Sequence, residues 1–396
     1  MRRPGAWVLF GVVLSFVVAF AAVAAFTQTE WGRSRIIAFT VRAIGGRLSG
    51  VLSIGHVEGN LLSGARVHDV ALRGYDGVPL ARLDSAYIQY RVVSFLGGDI
   101  VINRLVVWNA AIDVTRMPED SLWNYEEILT DPNPDPNGRP IGILIERLIL
   151  NNSLVTIQSP VSGDSRRSPE GQRAEVAAMI ADSAHLFIHE VPGGFTRSMF
   201  LDIDSLSTAE VFIGGSERGG IYLEARDAHA AFRNSGDPPL EVRAARGQLH
   251  VLDGLISVEL PSFTLAGGSD GSMVGTIDMN ASRPMYDLSI DADRFALSDL
   301  RWLFPWFPAE PEEASGSGHF ILRDEEDKQY FLARDFVLEM PESRVTGEFG
   351  LVMGVDSIGF TDVNLDADPL KVEDVKRLLP EGLPVTGLEI GSAMIE

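Results

Sequence analysis

The sequence contains no cysteine, and positive charge is scarce in it. The absence of cysteine excludes disulfide bonds, thiolate metal sites and cysteine nucleophiles. The 33 Lys and Arg residues against 55 Asp and Glu residues give a formal charge of −22. Because binding nucleic acid needs clustered cations that neutralise phosphates, no nucleic-acid partner is expected.

Several cofactor and metal motifs are also missing. The sequence has no P-loop, no HExxH and no G-x-G-x-x-G after a predicted strand. His185 and His189 have the i,i+4 spacing of a helical metal pair, but they lie in a strand-like segment. The alternating Asp and Asn residues of 131–137 are reminiscent of a calcium loop, yet Pro136 occupies its glycine position. The Gly- and Ser-rich stretch 267–275 predicts a hairpin turn. We therefore expect no enzyme activity, no cofactor and no metal site.

A long apolar run follows Met1-Arg2-Arg3. Trp7 to Phe26 carries no charge, and about 20 helical residues span a bilayer core of about 30 Å. The two arginines predict a cytoplasmic N-terminus and export of the chain beyond the run. A cleaved signal peptide is the alternative, because small residues near the end of the run resemble a cleavage site. We favour a retained anchor over residues 1–29, with membrane-facing side chains Trp7, Phe10, Leu14, Phe16, Phe20 and Phe26.

The chain after the anchor has the pattern of an all-β protein. Residues 30–50 predict a membrane-proximal amphipathic segment. Beyond it, short runs rich in β-branched and aromatic residues alternate with Gly, Asn, Asp and Pro, which predicts strands and turns. Short helices are predicted at 118–129, 172–183, 297–304 and 372–379. The chain then divides into a first β region (51–160), a middle β region (161–285) and a C-terminal region of repeats with short helices (286–396).

Two internal repeats organise this pattern. "INRLVVWNAAIDV" (102–114) aligns without gaps to "IERLILNNSLVTI" (145–157), an offset of 43 residues. Its apolar-x-x-apolar step predicts a bulge or bend, and Asn109 and Asn152 predict a turn between two strands. The second repeat, 297–305 against 372–380, is a helical turn ending at proline. Such repeats favour a modular array.

The apolar residues of these repeats fall on one face of each predicted strand. The periodicity fits two arrangements equally: a second sheet that buries this face, or a trough that leaves it open. An open apolar surface of this size marks a binding site for membrane, protein or apolar ligand. The residues of this face are Val67, Val70, Leu72, Ile102, Leu105, Val107, Ile112, Val114, Ile145, Leu148, Leu150, Val155 and Ile157.

Residues 52–116 resemble the start of the TamB family (translocation and assembly module subunit), within the wider AsmA-like superfamily. The matching patterns are I-G-x-V-E-G-x-L at Ile54–Leu61, V-x-x-V-x-L at Val67–Leu72 and I-N-x-L at Ile102–Leu105. The second repeat looks like the repeat modules of the same families. TamB proteins are much longer and end in a domain that docks an outer-membrane barrel.

The resemblance implies an N-terminal transmembrane helix followed by an elongated, curled antiparallel β-sheet repeat array, a β-taco groove. It also implies a single-pass protein of the bacterial inner membrane, with the bulk of the chain in the periplasm. The groove would carry phospholipid between inner and outer membrane and so support outer-membrane biogenesis, and the thirteen apolar residues would line it. The alternative is an anchored scaffold that assists translocation and assembly of autotransporter-type outer-membrane proteins with an Omp85-type barrel partner.

Overall fold

The strands of the chain form one sheet in the computed structural model. The structure describes residues 49–60, 64–90, 100–129, 142–163, 167–181, 187–214, 220–233, 238–279, 285–301, 314–325, 328–353, 358–371 and 374. The first elements are β1 (Gly50–Asn60), β2 (Gly64–Gly74), β3 (Pro79–Tyr90), β4 (Ile100–Thr115) and helix α1 (Asn124–Leu129). Next come β5 (Gly142–Ile145), β6 (Leu148–Val161), helix α2 (Pro169–Ala181), β7 (Ile188–Val191) and β8 (Gly194–Gly214).

The second half of the described chain continues the same sheet. Its elements are β9 (Ile221–Arg233), β10 (Leu240–Leu252), β11 (Leu255–Leu265), β12 (Asp270–Asp278), β13 (Met285–Phe295), a 3₁₀ helix (Leu297–Leu300), β14 (Ala314–Glu325), β15 (Lys328–Met340), β16 (Ser343–Met353) and β17 (Ile358–Ala367). The expected all-β class with a few short helices is confirmed. A strand crosses each of the two boundaries expected between the β regions. Strand β6 runs past residue 160 to Val161, and strand β13 begins at Met285, the last residue of the expected middle region.

The strands lie side by side almost in chain order. Nearly every strand pairs antiparallel with the next one. Strands β5 and β6 lie end to end between β4 and β8, and β7 shares one edge of β8 with β9. The 17 strands therefore occupy fifteen positions, and among the described strands β1 and β17 have one neighbour each.

The pairing of β4 with β5 and β6 is parallel, unlike the rest of the sheet. Its register joins Leu105 to Leu148 and Val107 to Leu150, which is the offset of the sequence repeat. Asn103 Nδ2 donates to Glu146 Oε2 across the same offset, at 2.8 Å. The two copies of the repeat are therefore neighbouring strands, and matching residues lie beside each other.

The expected turn at Asn109 and Asn152 is wrong, because β4 and β6 each continue through the asparagine. Both residues adopt left-handed backbone conformations inside their strands, with φ of 53° and 48°. Asparagine tolerates this region better than other non-glycine residues. The step shifts the alternation by one residue, so Val107 and Ala110 pack in one cluster although they are three residues apart. The bulge expected between Ile102 and Leu105 is confirmed. Gln89 and Tyr90 are adjacent on β3, but they pair with Arg104 and Ile102 of β4, which leaves one extra residue on β4.

The short helices gather at one end of the strands. Helix α1, helix α2 and the 3₁₀ helix follow β4, β6 and β13, and a helical residue at Asp374 follows β17. The pairings make these four strands run in the same direction. We call the edge of the sheet where they finish the helix rim, and the edge at the other strand ends the far rim.

No helix within the described residues is long and apolar enough to cross a membrane. The expected anchor at 1–29, with Trp7, Phe10, Leu14, Phe16, Phe20 and Phe26, lies outside the described residues. So do residues 30–48 of the expected amphipathic segment. The first described residue, Ser49, donates its backbone N–H to the Ile128 carbonyl at 2.9 Å, which ties the chain to α1 as it enters β1.

Candidate functional site

Seven of the thirteen apolar residues singled out in the sequence belong to one cluster on β1 to β9. Val67, Val107 and Leu150 are buried in it, together with Val57, Ala65, Ala86, Ala110 and Ile203. Packed against these are four more of the expected residues, which are Val70, Leu105, Leu148 and Val155. The cluster arises because β-branched and leucine side chains alternate along adjacent strands whose registers match.

The six remaining residues lie on the same face by register, because directly paired residues point to the same side of a sheet. Leu72 follows Val70 at strand spacing and pairs with Leu52. Ile112 pairs with Val155, and Val114 pairs with Ile157. Ile102 pairs with Tyr90 of β3 and with Ile145 of β5. All thirteen therefore share one side of the sheet, which we call the apolar face.

The apolar face continues across the strands that sequence reasoning did not assign to it. Direct pairing extends the apolar face from Ile203 of β8 to Ala230 of β9 and Val242 of β10. It reaches Leu288 on β13, Phe320 on β14 and Ala333 on β15. In the last strands, Phe349 lies with its ring centroid 6.1 Å from those of Phe331 and Phe336. The face therefore extends over the whole described sheet.

The last strand, β17, carries the apolar face in an exposed form. Phe360, Val363 and Leu365 are 75%, 55% and 41% exposed, whereas Val67 of β2 is 7% exposed. These three residues repeat the spacing of Val67, Val70 and Leu72, a signal already present in the sequence. They are exposed because β17 pairs with β16 alone among the described strands.

The opposite face of the sheet is polar. Asp69, Asp84, Asn109, Asn152 and Asp204 are exposed on it. Arg233 pairs with Asp202 at 2.6 Å, and the Arg66 guanidinium lies 5.5 Å from the ring centroid of Trp108. The polar face also carries a few buried apolar side chains, among them Val106, Ile321 and Leu332. The sheet is therefore amphipathic, with the charged residues concentrated on one side.

The residues with catalytic potential are not arranged as a catalytic site. His189 is exposed on β7, and His185 lies outside the described residues. Gly267 to Gly271, within the stretch expected to be a hairpin turn, also has the spacing G-x-S-x-G. A nucleophile elbow needs a helix after the serine, whereas strand β12 follows here. Ser269 is 1% exposed, and its Oγ accepts the Ala296 N–H at 2.9 Å.

Metal and small-molecule sites are equally sparse in the described part of the chain. No group of three or more His, Cys, Asp or Glu side chains there is placed to hold a metal ion. A pocket of about 320 Å³ lies at the helix rim. It is lined by Asp293, Arg294, Ala314, Ser315, Glu339, Met340 and Pro341, away from the apolar cluster.

Two tyrosines have raised pKa values. Burial raises the pKa of Tyr286, which lies on the apolar face two residues before Leu288 of β13. Burial also raises the pKa of Tyr125 on α1, and the negative charges of Glu126 and Asp253 add to the rise while Arg116 opposes it. Asp253 belongs to the turn between β10 and β11 at the far rim. Its charge therefore reaches a tyrosine that lies at the opposite strand ends.

No protein-family model, no curated protein and no solved structure matches this chain.

Proposed function

We propose that this chain is a lipid carrier whose sheet curls into a groove lined by the apolar face. In this proposal it is anchored in the inner membrane by residues 1–29, its bulk lies in the periplasm, and it moves phospholipid between inner and outer membrane. The work is binding and transfer without catalysis, as the resemblance to the TamB and AsmA-like families implies. The observation that carries the proposal is the continuous apolar face, on which all thirteen expected residues lie together.

Irregularities in the middle of the strands support a curled sheet. Bulges and left-handed residues bend a strand and increase its twist. They recur in strand after strand, at Asp69, Asn109, Asn152, Asp335 and Asp362, among other positions.

The dimensions of the apolar face suit hydrocarbon chains. Fifteen strand positions at about 4.8 Å spacing extend roughly 67 Å. Each buried methylene contributes about 0.8 kcal/mol, so an acyl chain of ordinary length gains several kcal/mol by leaving water for this face.

A photo-crosslinking experiment tests the proposal. A photoreactive residue at Leu105 or Leu150 should capture phospholipid, identified by mass spectrometry, because both side chains lie on the apolar face. Arg104 and Asn151 are the matched controls, one residue away on the polar face, and should capture none. Equal labelling of both faces, or labelling of neither, would rule out the groove.

A second candidate is favoured by the exposed edge strand β17. In this case the chain is an anchored scaffold that assists translocation and assembly of autotransporter-type outer-membrane proteins beside an Omp85-type barrel partner. An edge strand can add a further strand from another chain, and Phe360 and Val363 offer it an apolar side. Capture of a barrel partner that survives polar substitutions of Leu105 and Leu150 would favour this function.

A further inference from the structure

Polar residues of one chemical type form a row across the middle of the first strands. Asp69 of β2 lies opposite Asp84 of β3, between the pairs Val70–Leu83 and His68–Ser85. Asp84 in turn lies opposite Asn109 of β4. Asn152 of β6 is next to Asn109, and Asp204 of β8 follows Asn152. We call these five residues the Asx row.

Side-chain hydrogen bonds connect the centre of the row. Asn109 Nδ2 donates to Asp84 Oδ2 at 2.8 Å. Asn152 Nδ2 donates to Asn109 Oδ1 at 2.7 Å. All five residues are exposed on the polar face, so these bonds hold neighbouring strands in line without burying polar groups.

The backbone is left-handed at three of the five residues of the row. Asp69, Asn109 and Asn152 have φ of 52°, 53° and 48°. A left-handed residue redirects its strand and shifts the alternation by one position. A strand that bends alone would lose its pairing, whereas strands that bend at the same level keep it. The alignment of the row meets this condition.

In the second half of the sheet, glycines have positive φ within the strands. Gly247, Gly275 and Gly347 have φ of 148°, 154° and 132° on strands β10, β12 and β16. A Cβ atom on any of them would overlap a backbone carbonyl of the next strand, namely that of Glu259, Asp287 or Asn364. The left-handed residues Asp335 and Asp362 lie on the strands on either side of β16.

We propose that the Asx row is the fold line about which β2 to β8 bend, and that its left-handed backbone sets the width of the groove. The bend places Val107 and Ala110, or Leu150 and Ser153, on the same side of the sheet across the line. The role of the width in holding lipid rests on the proposed function, whereas the bend itself does not.

Distance measurements between spin labels test the bend. Because the chain has no cysteine, Tyr75→Cys and Gln89→Cys introduce label sites at the two ends of the β2–β3 pair and nowhere else. The double variant Asn109→Ala with Asn152→Ala disfavours the left-handed conformation, so the distance between the labels should lengthen. Asn109→Gly with Asn152→Gly removes the same hydrogen bonds but permits that conformation, and should keep the original distance.

The control pair is Arg104→Ala with Arg147→Ala. Arg104 lies on β4 and Arg147 immediately precedes β6, and both are exposed and off the row. This pair should also keep the original distance. An unchanged distance in the alanine pair, or an equal lengthening in the glycine pair, overturns the proposal. If the alanine pair does not fold, as judged by circular dichroism, Asn152→Ala against Asn152→Gly gives the same comparison.

A second readout separates this proposal from the proposed function. Phospholipid that co-purifies with each variant is quantified against protein, and the alanine pair should retain at least several-fold less than the glycine pair. Lipid absent from the unmodified chain contradicts the lipid carrier but leaves the fold line standing if the distances respond. Lipid present with distances that do not respond contradicts the fold line alone.

Discussion

Asp299 and Asp374 make equivalent contacts in the two copies of the second sequence repeat. Asp299 accepts the Gly267 and Ser269 N–H groups at 2.6 and 3.0 Å, and it is 8% exposed. Asp374 accepts the Glu342 N–H at 3.3 Å and is 3% exposed. In each copy an aspartate after one strand thereby accepts a hydrogen bond from the hairpin turn that follows the strand two before it.

Replacing Asp299 with alanine should destabilise the protein. Two backbone N–H groups would lose their acceptor, and each buried unsatisfied donor costs about 1–3 kcal/mol. We expect a loss of at least about 2 kcal/mol in the free energy of unfolding, measured by urea titration. Asp293→Ala, at an exposed position of the preceding strand, should change it by less than about 0.5 kcal/mol. An equal effect of the two variants would contradict the role of Asp299.

Tyr286 should make the stability depend on pH under alkaline conditions. Burial raises the pKa of Tyr286 in the folded protein, so the unfolded chain loses this proton first as pH rises. Its contribution is therefore present below about pH 10 and is lost as pH rises through the folded pKa. The urea midpoint of Tyr286→Phe should fall less steeply above about pH 10 than that of the unmodified chain. Phe320→Leu, a change on the same face without a titrating group, should keep the original slope.

At the scale of elements, α1 shows how a short helix is stabilised by the sheet. Six residues are too few for a helix to be stable alone. Asn124 Oδ1 accepts the Thr115 N–H at 2.9 Å, and its Nδ2 donates to the carbonyls of Asp113 and Pro79 at 2.6 and 3.3 Å. The Glu126 carboxylate accepts the Trp123 N–H at 2.8 Å, as in a capping box.

Asn124→Ala should therefore release α1 from the helix rim. Hydrogen exchange is expected to become faster at Thr115 and at the start of β1, where the Ser49 N–H is held by Ile128. Glu127→Ala, an exposed position on the same helix, is the control and should leave exchange at these sites unchanged. Unchanged exchange at Thr115 in Asn124→Ala would show that the helix is held by other contacts.

Most elements were predictable, and the exceptions have a common cause. Period-two alternation identified strands, and the helices at 124–129, 169–181 and 297–300 lie within or overlap the predicted segments. The turn between β10 and β11 has the signal of a two-residue hairpin, Asp253-Gly254, with both residues left-handed. The same residue type at Asn109 and Asn152 suggested turns but lies within strands. A left-handed residue is local, and whether the chain reverses after it depends on which neighbours pair with the next residues.

At the scale of the whole molecule, one sheet presents the same apolar face at its centre and at its edge. Val67 and Phe360 occupy the same place in the spacing they share, three residues before Val70 and Val363. The left-handed Asp69 and Asp362 follow them by two residues. Their environments differ because β2 has two neighbouring strands and β17 has one among the described strands.

A lysine at each of these two positions should lower the free energy of unfolding by very different amounts. Val67→Lys buries an unpaired charge and should cost about 3 kcal/mol or more of the free energy of unfolding. Phe360→Lys replaces a residue that is 75% exposed and should change it by about 0.5 kcal/mol or less. Urea titrations of the two variants measure the difference. A large loss in Phe360→Lys would mean that another part of the chain, or another molecule, covers the edge.

The sequence by itself determined the strand-rich class, the positions of most strands and the set of apolar residues, because alternation and turn residues are local properties of the chain. The tertiary structure decided that the two copies of the first repeat lie side by side in parallel, and that all thirteen residues share one face. It also decided that Asp69, Asp84, Asn109, Asn152 and Asp204 form a row. Strand partners and register depend on pairing between residues far apart in the chain, and periodicity along one strand does not specify that pairing.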